Sequence, residues 1–135
     1  MDKALSCMAL ARKAGRLELG EEPVGAVTRA CKASLVVVAS DASDHTWRRA
    51  KSFVAGTAQQ CIRVAFSKDA LGMAIGRTSL AIAAFTDAAL ALSFAKALPQ
   101  QDEAVNTALE ERAQRAKSRQ QEAKAHARNI RKGKK

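Results

Sequence analysis

At 135 residues, with 47% hydrophobic and 27% charged content, the chain is long enough for one domain with its own core plus an appendage. Its net charge of +10 is unevenly placed, because residues 112–135 hold ten Lys or Arg against the single Glu122 and leave the first 111 residues nearly neutral. The richest apolar stretches, at 34–39 and 79–85, are far shorter than the roughly 20 residues that span a bilayer, so neither a transmembrane helix nor a membrane partner is expected.

Helix and strand signals alternate along the body. Leu5, Met8, Ala9 and Ala11 recur at helical spacing until Gly15, and RLEL then forms a short strand ending at Gly20. Glu21, Glu22 and Pro23 suit the first turn of a second helix, expected to run to about Cys31 with Val24 and Val27 inward. SLVVVAS reads as a strand covered on both faces. Several caps between Asp41 and Asp44 precede a helix over 46–55, with Trp47, Ala50 and Val54 on one stripe. CIRVAF makes the next strand, Ser67 caps a short helix through Met73, IGRTS is a loop, and LAIAAF is the last strand. Thr86 or Asp87 then caps a helix that Pro99 terminates.

This alternation predicts an α/β fold with a sheet between helices. The boundary expected at Pro99 divides a body (1–99) from a basic tail (100–135). Leu109 and Ile130 are almost the tail's only large apolar residues after Val105. It should therefore be an exposed helix burying little against the body, with RKGKK disordered until it meets a polyanion, the partner that so dense a positive charge points to.

Cys7, Cys31 and Cys61 are odd in number and widely spaced, which suggests neither a disulfide framework nor a zinc site, and each is expected to be a buried or half-buried apolar residue. His45 and His126 have no neighbouring ligands, so no metal or cofactor is expected. Ser43, Asp44 and His45 crowd one helix start, where capping accounts for the first two, and Asp41 reads as a strand-end turn residue. Trp47 reads as a core anchor rather than a stacking platform. With no catalytic constellation, a non-enzymatic protein is expected. The first fifteen residues break their apolar run with Arg12 and Lys13, unlike a secretory signal, which points to the cytoplasm.

LARKAGRLELGEEPV at 10–24, KASLVVVASDAS at 32–43 and SKDALGMAIGRTSLAIAAFTD at 67–87 follow one another in an order and spacing that resembles the ribosomal L-seven-Ae superfamily of kink-turn RNA binders, and within it the bacterial YlxQ-like proteins. The resemblance covers residues 3–98. It implies a three-layer α/β/α sandwich around a four-stranded mixed sheet. It also implies an RNA surface made by Gly20, Glu21 and Glu22, with Arg16, Arg29 and Lys32 nearby, together with the loop Ile75, Gly76, Arg77 and Thr78. A helix start offers amides, Ile75 can pack under an extruded base and Arg77 can pair with phosphate. Where kink-turn binders carry Asn, Glu and Lys, this chain has Glu22, Pro23 and Ala26, of which the last two cannot make those side-chain hydrogen bonds.

The tail, including Arg128, Arg131 and Lys132, would add affinity through counterion release. The expectation is thus a monomeric, cytoplasmic binder of structured RNA, ribosomal or kink-turn-like, with the ribosome as a candidate partner. Its alternatives are a protein-interaction scaffold, a ribosome-associated accessory module without specific RNA recognition, and an accessory domain of an RNA-modifying enzyme.

Overall fold

The computed structural model describes residues 2–133, with side chains through residue 127. Their order is α1 (Lys3–Lys13), β1 (Leu17–Leu19), α2 (Glu21–Arg29), β2 (Leu35–Val38), α3 (Asp44–Val54), β3 (Gln60–Arg63), α4 (Lys68–Ala74), β4 (Ile82–Phe85), α5 (Ala88–Lys96) and α6 (Glu103–Gly133). The strands form one mixed sheet in the order β1-β4-β2-β3, antiparallel except for the parallel β2–β3 pair. The β-branched run of β2 is buried at all four positions, as a central strand covered on both faces must be. α2 and α3 pack together on one side, and α1, α4 and α5 on the other, completing the α/β/α layering.

Short polar side chains start the helices. Asp2 caps α1, Ser43 caps α3, Ser67 caps α4 and Asp87 caps α5, each oxygen accepting from a first-turn amide that has no partner inside the helix. Asp41 Oδ1 accepts from the Lys68 amide (2.8 Å), so the end of β2 is tied to the start of α4. Phe85 and Phe94, their ring centroids 5.0 Å apart, fill the centre between β4 and α5.

The segment beyond Pro99 differs from expectation. Val105 and Leu109 are only 6% and 0% exposed and belong to the core, with α6 packed along α5. The two are four residues apart and so lie on one helix face, which seats the start of α6 against α5. Gln101 fixes the entry by donating to the Leu98 carbonyl (2.6 Å) and accepting from Asn106 Nδ2 (2.8 Å). Farther along the expectation of exposure holds, for every side chain from Arg119 to Ala127 faces solvent. Among the described residues no helix is long and apolar enough to cross a membrane.

Candidate nucleic-acid interface

The sheet register separates the predicted site residues into two groups. Leu17 and Leu35 both align with Phe85, whereas Leu19 aligns with Ala83 and Val38 with Ile82. Gly20 therefore lies at the end of the sheet where β4 begins, its amide donating to the Ile82 carbonyl (3.0 Å). Arg16 lies at the other end, its carbonyl accepting from the Thr86 amide (3.0 Å). Four strand residues at 3.3 Å each set the two ends roughly 13 Å apart.

At the first end, Gly20 takes φ +94° to turn β1 into α2, a conformation an L side chain would strain. Its own amide is committed to the sheet and Pro23 has none, so the α2 start presents the amides of Glu21 and Glu22. Glu21 is engaged elsewhere: its Oε1 lies 3.1 Å from Arg49 Nε and ties α2 to α3. Glu22 is exposed.

The neighbouring loop is shaped by the end of α4. Gly76, at φ +78°, lets the Arg77 amide turn back to the Gly72 carbonyl (2.8 Å) and its own amide to Met73 (3.4 Å), a Schellman closure. Gly72 is needed for a different reason, since a Cβ there would stand 2.6 Å from the Ser79 nitrogen. The loop thus lies directly on the helix, with Ile75 half-buried and Gly76, Arg77 and Thr78 exposed. Met73, 80% exposed, adds an apolar surface beside it. The sequence carries no signal for Gly72 or Met73, because both read simply as interior positions of a short helix.

At the opposite end, Arg16 and Lys32 border a cleft of about 1290 Å³ whose other wall is α6, with Arg112, Arg115, Lys117 and Arg119. Arg112 Nη2 donates to the Cys31 carbonyl (2.9 Å) and pins the helix across the cleft. Burial, and next the like charge of Arg115, lower the Arg112 guanidinium pKa from its ordinary value. The resemblance implied that Arg16 and Lys32 neighbour Gly20, but the strand and helix between them carry these residues to the far end. Arg29 joins neither group tightly. Its guanidinium folds back over Gly25 beside Phe53. Arg128, Arg131 and Lys132 lie outside the described side chains.

Cys31 departs from the expected burial. It is exposed and takes φ +56°, closing α2 as a glycine would, with the Lys32 amide reaching the Val27 carbonyl (2.9 Å). Cys7 and Cys61 are half-buried, and burial pushes the Cys61 thiol up to about 12, so it is protonated at neutral pH. Trp47 is half-buried, with Lys51 and Arg63 placed over its ring at 5.3 and 5.5 Å, which leaves it poorly placed to stack a base. Among the described residues no group of three or more His, Cys, Asp or Glu could hold a metal ion.

Together these features define an α/β sandwich domain with a docked cationic helix. No family model and no curated protein matches the chain. Among solved structures it is similar to a protein of unknown function from Bacillus halodurans, at 27% identity and a TM-score of 0.69, over 74% of this chain and all of that one. It also shares its fold with the 15.5 kD RNA-binding protein of Giardia lamblia, at 19% identity and a TM-score of 0.59, over 70% of this chain and 81% of that one.

Proposed function

We propose that this protein is a non-catalytic, monomeric binder of structured RNA, of ribosomal or kink-turn-like form, acting in the cytoplasm. The observation that carries the proposal is the shared sheet end of the Gly20 turn and the 75–78 loop. It sets free helix amides, an exposed Arg77 and an apolar Met73–Ile75 surface side by side, in a fold that the Giardia RNA-binding protein also has. Such a surface accepts phosphate and the face of an unstacked base together, which is how single-stranded or bulged RNA is held. Residues 1–99 supply this recognition, and residues 100–135 supply most of the chain's positive charge.

RNA crosslinked to the full-length protein in cells, then sequenced and synthesised, is the ligand for the test. Arg77→Ala should weaken its binding by about 1.5 to 3 kcal/mol, the scale of a hydrogen bond to a charged group. Unchanged affinity removes the loop from the surface, and recovery of no RNA returns the fold to a scaffold role. The triple change Glu22→Asn, Pro23→Glu and Ala26→Lys asks the finer question. A gain for a standard kink-turn well above any gain for plain duplex supports the kink-turn mode, and equal gains discard it.

A further inference from the structure

The loop end does not contain the protein's main concentration of positive charge. Seven cations line the cleft between α6 and the opposite end of the sheet, and apart from Lys96 six of them, Arg16, Lys32, Arg112, Arg115, Lys117 and Arg119, have no carboxylate partner among the described residues. Three carboxylates share it, and two of them are occupied: Asp87 accepts from the Leu90 amide, and Glu110 pairs with Lys96 at 3.2 Å. The third, Glu18, is half-buried on the edge strand. Among the described residues the salt bridges are Arg49–Glu21 and Lys96–Glu110, so none of the six cations is paired with a carboxylate.

Like charges lining one cleft repel one another, and a polyanion between them would relieve that repulsion. Arg112, Arg115 and Arg119 recur at helical spacing on one face and cover about 10 Å of axis at 1.5 Å per residue. Double-stranded DNA carries one charge per roughly 1.7 Å of axis with both strands counted, about 3.4 Å per strand, so one strand of comparable spacing presents about three phosphates over that length. Four of the six cations are arginines, whose planar fork suits phosphate oxygens.

We infer that this cleft is a second RNA site, which grips the phosphate backbone without regard to sequence. It rests on the reading that the protein binds RNA and extends it to a face remote from the loops. The two ends are roughly 13 Å apart along β1, more than one Debye length of about 8 Å at physiological salt, so the cleft's charge reaches the loop surface only in screened form and each site is altered largely on its own.

The test uses the full-length protein and a plain fluorescent RNA duplex titrated across a salt series. The combined change Arg16→Ala, Arg115→Ala and Arg119→Ala should flatten the slope of log affinity against log salt by about 2 to 3, since each phosphate contact contributes about 0.9. The same three residues changed to lysine should restore the slope, because lysine keeps the charge. Arg77→Ala should leave duplex binding unchanged while weakening the crosslinked RNA. A wild-type slope in the alanine variant overturns the inference, as does duplex binding too weak to detect when the crosslinked RNA is bound. Binding of neither RNA overturns the RNA reading as well. Polyglutamate competing as effectively as the duplex would assign the cleft to an acidic protein segment instead.

Discussion

The two ends of the sheet are made of different material. At the Gly20 end, position is set by main-chain hydrogen bonds, a helix closure at Gly76 and a backbone contact at Gly72, and few side chains project. At the Arg16 end, long cationic side chains on a docked helix face a cleft, and little but the Arg112–Cys31 bond fixes where they point. The first end has geometry with little charge and the second has charge with little geometry. If the two ends bind RNA as proposed, selectivity and affinity can be altered one at a time, which is harder in a protein that uses a single surface for both.

The most damaging way to break this comparison is Leu109→Ala. It opens a cavity under α6 and should cost about 2 to 5 kcal/mol in urea unfolding, loosening the cleft wall at the same time. Truncation after Gln120 should leave stability nearly unchanged, because the side chains from there to Ala127 are exposed. Gly72→Ala strikes the other end. The added Cβ must push Ser79 away, at about 1 to 3 kcal/mol, and should weaken binding of the crosslinked RNA while duplex binding stays intact. Loss of duplex binding in this variant would mean that the ends are not separable.

A smaller effect is expected at Cys31, where glycine removes the strain of a left-handed residue. Cys31→Gly should raise stability by up to about 1 kcal/mol, read as a higher midpoint in the same titration. The smallest effect concerns reactivity. At pH 8 a thiol reagent should modify the exposed Cys31 first and Cys61 only on unfolding, since Cys61 remains a thiol until the pH nears about 12. The raised folded-state value also sets a sign. Whatever stability the Cys61 proton confers is complete below about 9, where the unfolded thiol titrates, and is lost as pH rises towards 12.

The sheet and its caps were legible in the sequence because each has a local cause. A continuous β-branched run makes β2, and Ser43, Ser67 and Asp87 sit directly before helical patterns. The docking of α6 was not legible, since it depends on two apolar residues in a polar segment and on which helix they meet. The site was legible only in part. Arg16 and Gly20 are neighbours in sequence, yet an extended strand carries them to opposite ends, and only the register reveals it. Gly72 and Cys31 act through contacts and a dihedral angle that no residue pattern encodes.

The seating of Val105 and Leu109 has a further consequence. An isolated charged helix of this length would be marginal in water, because forming its first turn fixes several residues for one hydrogen bond. Here the core supplies that first turn, and each later residue of α6 has only to extend a helix already begun. The backbone that carries Arg112, Arg115 and Arg119 is thereby set in advance, so binding of a polyanion, as proposed, would not carry the backbone ordering entropy that a disordered basic tail loses on contact.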